Sequence, residues 1–330
     1  MWSFREVVGN RKIVTHLQGA IRHRKVSHAY LFSGPDGIGK RFVAERFAAA
    51  LECEQGGIEP CGSCRSCLQM QSKNQPDVSY VTRSKSVIGV DDIREQVSAP
   101  MGIKPYASPY KIFIIDEAER MNEQAPNALL KTLVEPPEYG LILLLSNNAE
   151  RFLPTILSRV VQLPFLPAGE EETVAFLMRE YQMPDYRARL SAVLAGGSPG
   201  QAAAFAVSEE LQGRREAVLR LMKSLPEGSP QKRAAQGKEL AARKGELSRD
   251  LDLMLLWLRD LLMYKAEGSR GRLMYPEEAE EIARQAGRIT FEGIHRMQDE
   301  LAAFQAKREA NVNLETSLWI MLSRWSECFQ

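Results

Sequence analysis

The sequence predicts an α/β fold, a parallel five-stranded sheet domain carrying a cysteine module, followed by a helical second half. Three observations predict it. Up to about residue 166, short apolar runs suited to buried strands alternate with helical segments, as in a doubly wound parallel sheet. One of those runs leads into Gly34-Pro35-Asp36-Gly37-Ile38-Gly39-Lys40-Arg41, which matches the phosphate-loop pattern G-x-x-x-x-G-K-[ST] except at its last position. Beyond Pro167 the strand-like runs stop and helical spacing continues to the end.

The 330 residues allow two or three domains. A formal net charge of +1 gives no sign of a strongly basic nucleic-acid-binding protein, so any DNA contact is local or shared with partners. The first residues, Met1-Trp2-Ser3-Phe4-Arg5-Glu6, carry charge where a signal peptide needs an apolar run, and no stretch approaches about 18 uninterrupted apolar residues. The expectation is a cytoplasmic protein with no membrane segment. Four of the five cysteines fall between positions 53 and 67, a spacing that in a reducing compartment favours metal over disulfide. The fifth, Cys328, reads as a packed thiol.

In chain order, Val7-Val8-Gly9-Asn10 reads as a turn, and Ile13, Leu17 and Ile21 mark one face of an amphipathic helix. His28 to Ser33 reads as a buried strand entering the phosphate loop, and Phe42 to Ala48 as the helix leaving it. Such a loop, here with Gly34, Gly37 and Gly39, aims backbone N–H groups and a helix N-terminus at a polyphosphate. Lys40 would reach the terminal phosphates. The hydroxyl that normally ligates Mg²⁺ is replaced by Arg41, which cannot bind a cation. The site thus reads as a nucleotide site with its metal handle removed. A glycine-rich strand-to-helix turn without nucleotide is the alternative.

Cys53-x7-Cys61-x2-Cys64-x2-Cys67 follows, four soft ligands whose two-residue spacers let successive thiolates converge on one tetrahedral ion, with Pro60 and Gly62 supplying the tight turn. Zinc in a structural role is the expectation, because four thiolates leave no open coordination position. An iron–sulfur cluster competes, since Cys61, Cys64 and Cys67 partly echo a ferredoxin run, although its closing Cys-Pro and a second cluster set are missing. Free structural thiols are the third reading.

Asp77 to Val81 is a plausible second strand, and a helix starts near Val90 with Asp91 or Asp92 at its cap. Tyr110 to Glu117 is a near-continuous apolar run ending in two carboxylates at the edge where open α/β sheets bind ligands. Asp116 would help hold Mg²⁺ and Glu117 would polarise the attacking water. Acidic residues often simply end a strand, but this pair comes some 76 residues after a phosphate-loop lysine. Asn127 to Glu135 reads as a helix stopped by Pro136-Pro137, with Pro126 awkwardly close to its start. A fourth strand, Leu141 to Leu145, ends in Ser146-Asn147-Asn148, where an amide would orient water at a γ-phosphate or simply make a turn. Ile156-Leu157-Ser158-Arg159 then precedes a fifth strand, Val160 to Leu163.

The second half reads as helices over Glu170 to Tyr181 and Arg187 to Leu194, a turn at Gly196-Gly197-Ser198-Pro199-Gly200, and an alanine-rich helix from Gln201. Lys232, Arg233, Lys238, Arg243 and Lys244, interrupted by Glu239 and Glu246, read as a solvated helix face rather than a DNA stripe. Leu251 to Met263 is apolar nearly all round, which demands burial in a bundle or an oligomer. Gly268 to Gly271 reads as a loop; Ile294, Met297, Leu301 and Phe304, then Leu318, Trp319, Leu322 and Trp325, mark two further helix stripes.

Taken together, Ser27-His28-Ala29-Tyr30-Leu31-Phe32, the four cysteines, the Asp116-Glu117 strand end, Asn127-Ala128-Leu129-Leu130-Lys131-Thr132-Leu133 and Ser158-Arg159 resemble the bacterial clamp-loader subunits of the AAA+ class over essentially the whole chain. The resemblance implies a RecA-like nucleotide-binding domain with its cysteine module over residues 1–166, a small helical lid over 167–207 and an all-α collar over 208–330. It further implies a place in the DNA polymerase III holoenzyme, a nucleotidyltransferase complex, among subunits whose collars form a ring while the loader closes a sliding clamp around primer–template DNA. Arg41, and Gln201 where a motor subunit carries a sensor arginine, point to the stator type of subunit rather than the ATP-hydrolysing gamma/tau type; Ser86-Val87-Ile88-Gly89-Val90-Asp91-Asp92-Ile93-Arg94 also resembles the stator version. A stator works beside gamma/tau and delta, has little or no ATPase or polymerase activity alone, and lends an arginine, here Arg159, to a neighbour's ATP site. The resemblance leaves Glu117 vestigial and implies weak ATP/Mg²⁺ binding or none, with Asn147 kept as a candidate nucleotide-binding residue from the strand-end reading. Departures from the family pattern are Val160, where Cys usually follows Ser-Arg, and Val134, where Glu usually precedes Glu135-Pro136-Pro137. Two alternatives stand: a gamma/tau-like or other AAA+ motor, and a nucleotide-free, zinc-stabilised scaffold.

Overall fold

A computed structural model of the chain describes residues 2–84, 86–242, 247–268, 272–308 and 313–329. Arg243, Lys244 and Glu246 of the charged segment and Ser269, Arg270 and Gly271 of the expected loop lie outside them. The elements are α1 (Arg11–Arg22), β1 (Ala29–Ser33), α2 (Lys40–Leu51), α3 (Arg65–Gln71), β2 (Val78–Val81), α4 (Val90–Ile93), α5 (Ala99–Met101), β3 (Lys111–Ile115), α6 (Ala125–Val134), β4 (Gly140–Ser146), α7 (Pro154–Leu157), β5 (Val161–Pro164), α8 (Glu170–Tyr181), α9 (Asp185–Leu194), α10 (Pro199–Val207), α11 (Glu209–Ser224), α12 (Pro230–Ala242), α13 (Leu247–Glu267), α14 (Ala279–Arg288), α15 (Phe291–Arg308) and α16 (Leu314–Glu327). They fall into two compact units, Met1–Phe176 with Ala195–Ala202, and Leu177–Leu194 with Ala203–Gln330, so residues of the expected lid are shared between the two.

The first unit is built on a five-stranded sheet in the order β2-β3-β4-β1-β5, with every neighbouring pair parallel. Because side chains alternate across a strand, each apolar run serves two faces. Tyr30, Phe32, Ile112, Ile114, Leu141, Leu143 and Leu145 pack with Val43 and Phe47 of α2 on one side. Leu31, Phe113, Ile115, Ile142 and Leu144 pack with Leu129 and Leu133 of α6 and with Ile93, Val97 and Met101 on the other. That two-sided burial is why these strands read as continuous apolar runs. β1 lies inside the sheet, so the loop that follows it opens at the strands' C-terminal edge between β1 and β4.

The expected elements shift where local chemistry decides their ends. α6 starts at Ala125 and takes Pro126 into its first turn, where the missing N–H costs nothing. Asp92, not Asp91, closes the start of α4, its Oδ2 accepting the Gly89 N–H at 2.8 Å. α4 runs through a wide π turn over Arg94–Ser98 into α5. The alanine-rich helix begins at Pro199 rather than Gln201, for the same first-turn reason as α6.

Asp77, at the foot of β2, is buried and accepts backbone N–H groups from Tyr106 (2.6 Å), Ala107 (2.8 Å) and Ser108 (3.1 Å), which fixes the connection into β3. Asp77→Ala strands three donors and is expected to cost about 3 kcal/mol or more. A thermal melt indistinguishable from that of the wild type would refute this anchoring role.

In the second unit α13 is the buried centre of a helical bundle, longer than the expected Leu251 to Met263. Its Trp257 donates to Gln285 Oε1 at 3.0 Å, and its fully buried Asp260 accepts the N–H groups of Met274 and Tyr275 at 2.8–2.9 Å. The expected stripes Ile294, Met297, Leu301, Phe304 and Leu318, Leu322, Trp325 are buried there, while Trp319 stays partly exposed. Lys232, Arg233 and Lys238 lie on α12, but Arg233 is not a purely solvated charge: it donates to Gly228 O and to Ser326 Oγ.

Candidate phosphate-loop and metal sites

The loop between β1 and α2 turns through left-handed glycines, Gly37 (φ 72°) and Gly39 (φ 102°), and α2 starts at Lys40 with no side-chain cap. Asp36, Gly37, Gly39, Lys40, Arg41, Asp116, Glu117, Glu119 and Asn147 line one cleft of about 360 Å³. The structure thus gathers every residue the sequence pointed to for nucleotide binding except Gly34, which sits at the loop's entry, its N–H bonded to Ser146 O at 3.1 Å.

The charges inside the cleft are arranged differently from a metal-dependent site. Lys40 is buried and bends back on its own loop, its Nζ donating to Gly34 O and, at 2.9 Å, to Pro35 O. Burial pulls its pKa below the usual lysine range, partly offset by the carboxylates of Asp36, Glu119 and Asp116. Arg41 is held on three sides: Nε donates to Glu45 Oε1 at 3.1 Å, Nη1 to Asp116 Oδ2 at 3.3 Å, and the guanidinium lies 5.4 Å from the Tyr80 ring centroid. The carboxylate that would face a metal therefore faces a guanidinium. Glu117, in a left-handed conformation (φ 50°), is tied by Arg83 Nη1 at 2.7 Å and Arg120 Nε at 3.1 Å. Asn147 uses its backbone N–H to reach Glu119 Oε2 at 3.2 Å.

The segment at the start of α10 closes on the same loop. Gly200 N–H donates to Gly37 O at 2.9 Å, and Ser198 Oγ and Gln201 Nε2 donate to Asp36 O at 2.9 and 3.0 Å. A Cβ on Gly200 would lie 2.7 Å from Gly37 O, so this approach requires glycine. Gln201 was singled out in the sequence for lacking charge; its use as a clamp on the loop and the pairing of Arg83 with Glu117 had no sequence signal because their partners are distant in the chain, whereas Arg120 pairs with Glu117 three residues away.

The four cysteine sulfurs all lie within 4.8 Å of one another. Their scaffold is a set of N–H···S contacts: Cys61 N–H to Cys53 Sγ (3.4 Å), Cys64 N–H to Cys61 Sγ (3.3 Å) and Cys67 N–H to Cys64 Sγ (3.4 Å), the last capping α3. The N–H groups of Ser63 and Cys64 bring the Cys61 thiol down to about 6, whereas burial pushes Cys53 and Cys67 up. Buried thiols that resist ionisation alone, gathered around one that ionises readily, form a donor set that a dication completes. Tetrahedral thiolates about 2.3 Å from one ion stand about 3.8 Å apart, and Cys61 and Cys67 are at 3.9 Å. A [4Fe–4S] cluster, with each thiolate on a different iron, would spread them further, and a [2Fe–2S] cluster would hold them as two separated pairs. The four cysteines are thus positioned to bind a metal ion. Glu59, unremarked in the sequence, docks this module: it accepts from Ser3 Oγ and Phe4 N–H, both at 2.9 Å, and from Gln18 Nε2 at 2.8 Å.

Arg159 stands elsewhere, exposed at the end of α7. It donates to Thr155 O at 2.7 Å and Ser158 Oγ at 3.2 Å, pairs with no carboxylate among the described residues, and does not line the cleft of Lys40 and Asp116.

The family described as DNA polymerase III, delta subunit, matches residues 9–168. The delta prime subunit of Bacillus subtilis DNA polymerase III is 29% identical over 314 residues, covering 92% of this chain and 92% of that protein. The tau subunit of the same organism is 30% identical over 319 residues, 90% of this chain but 56% of tau, and the gamma/tau subunit of Mycobacterium tuberculosis is 39% identical over 165 residues, 28% of its length. The chain spans little more than half, or less, of those tau-type relatives. Among solved structures, a DNA polymerase III gamma-subunit-related protein of Thermotoga maritima aligns with 95% of this chain and 99% of its own, at 20% identity and a TM-score of 0.39. Through a kinship that runs nearly end to end, the chain is a homologue of the delta prime subunit of the DNA polymerase III clamp loader.

Proposed function

We propose that the chain is the stator of its clamp loader, a delta prime subunit that hydrolyses no ATP itself and lends Arg159 in trans to a neighbour's ATP. The observation that carries this is Arg41 on Asp116: the carboxylate needed for Mg²⁺ is already paired with a guanidinium, while Arg159 is exposed with no carboxylate partner among the described residues. Sequestration of Glu117 by Arg83 and Arg120 removes the base that a motor subunit would use, although Gly39, Lys40, Asp116 and Glu117 keep the motor pattern. The three-part division into nucleotide domain, lid and collar belongs to this reading, with gamma/tau and delta as partners through the collar and nucleotide domains. The sliding clamp and primer–template DNA are met through the complex, in the cytoplasm. No helix among the described residues is long and apolar enough to cross a membrane.

In this reading the metal is one zinc held by Cys53, Cys61, Cys64 and Cys67. When bound, it supplies a structural crosslink and no open coordination position. The purified chain is expected to show no steady ATP turnover, and to co-purify with the other loader subunits and support their DNA-stimulated ATPase. Sustained hydrolysis by the chain alone would replace the stator with a motor, and failure to join the complex would leave a scaffold outside the loader.

A further inference from the structure

Resting on the reading of Gly34 to Lys40 as a phosphate loop, we propose that Arg41 is the site's resident cation and that the ligand of this loop is a nucleoside diphosphate taken without magnesium. A metal in such a site needs a hydroxyl at the position after the lysine and a free carboxylate at the end of β3. Here neither is available: the position holds Arg41, and Arg41 Nη1 lies 3.3 Å from Asp116 Oδ2. The guanidinium is not a stray surface charge, since Glu45 Oε1 at 3.1 Å and the Tyr80 ring hold it from α2 and β2. The residues therefore do not fit Mg²⁺, yet they retain what grips phosphate. The cleft of about 360 Å³ is open, α2 starts without a cap, and Lys40 is seated on two loop carbonyls that a phosphate oxygen can replace as its partners.

The same charges select the length of the phosphate chain. In metal-dependent sites the ion bridges the β- and γ-oxygens and neutralises them. Without it, a third phosphate would lie toward Asp116, Glu117 and Glu119, where Arg83 and Arg120 are committed to Glu117 and Arg41 is shared between Asp116 and the phosphates. A diphosphate ends within reach of Lys40 and the loop amides, short of those carboxylates. The clamp of Ser198, Gly200 and Gln201 on the Asp36 and Gly37 carbonyls fixes the backbone of the loop.

The test is calorimetric titration of the full-length, metal-loaded chain with ADP and with ATP, each in EDTA and in excess Mg²⁺. The expected result is ADP binding that changes by less than about twofold between the two conditions, with ATP at least about tenfold weaker in EDTA. Arg41→Thr should fold and keep its metal content, lose ADP affinity in EDTA, and gain at least about tenfold from Mg²⁺. Lys40→Ala should abolish binding under every condition. Wild-type binding that tightens about tenfold with Mg²⁺, or no binding of either nucleotide, overturns the inference while leaving the stator reading standing. Mg²⁺-dependent binding accompanied by steady turnover strikes the stator reading as well.

Discussion

Loss of the metal is expected to unfold residues 53–71 while the sheet persists. Peptides with comparable sites gain roughly 10 to 16 kcal/mol of apparent free energy from zinc, and this segment has little core of its own beyond Cys53, Cys67 and Met70. Chelation, or Cys64→Ser, should therefore expose the backbone of α3 to rapid hydrogen exchange. It should also break the contacts of Ser3 and Phe4 with Glu59, while Phe4 stays packed in the core beside the sheet. β1, β3 and β4 should stay protected, because their apolar faces pack on α2 and α6. Metal analysis of the native protein should return about one zinc per chain, as four thiolates on one ion require. An unchanged exchange pattern after metal removal, or an iron–sulfur absorption band in anaerobically purified protein, would defeat the prediction.

The second large effect belongs to Arg159. An arginine with fixed charge and a planar fork of donors can grip a γ-phosphate as charge shifts in the transition state, and such fingers are worth roughly 10³ to 10⁵ in rate at the site they serve. The competing role, a surface ion pair worth at most about 1 kcal/mol, finds no carboxylate partner for Arg159 among the described residues. Arg159→Ala in the reconstituted loader should leave folding, zinc content and assembly intact and depress DNA-stimulated ATP hydrolysis and clamp loading, less steeply in total turnover because several sites share the work. Arg159→Lys should rescue little, since an ammonium is a point charge without the fork. Normal loading by the Arg159→Ala complex would reduce the chain's role to scaffolding.

The parallel sheet was legible because burial on both faces forces continuous apolar runs, and Ile112 to Ile115 or Leu141 to Leu145 can hardly be read otherwise. The phosphate loop and the cysteine module were legible because their chemistry is local, with ligands a fixed few residues apart. What the sequence did not reveal is how the cleft is neutralised. Arg41 could be read as a missing ligand, but its pairing with Asp116 depends on β3 lying beside the loop, and the pairing of Glu117 with Arg83 depends on β2 lying beside β3. Helix ends moved for the same kind of reason. Pro126 and Pro199 look like helix breakers in a string of letters, yet both occupy first-turn positions where the lost N–H is of no use.

Because β1 lies inside the sheet, the ribosome releases Ala29-Tyr30-Leu31-Phe32-Ser33 long before its neighbours exist. Ile142 and Val161, which pair with Ala29 and Tyr30, are made more than a hundred residues later. At about 5 to 20 residues per second this leaves an apolar strand with both edges open for on the order of 10 s. During that interval α1 and α2 can cover only one face of it, and the strand is an invitation to nascent-chain aggregation and to chaperone capture. The placement that brings the phosphate loop inside the finished sheet, with its strand between β4 and β5, thus makes that strand the segment most exposed during synthesis, and translation speed between residues 34 and 164 sets how long that exposure lasts.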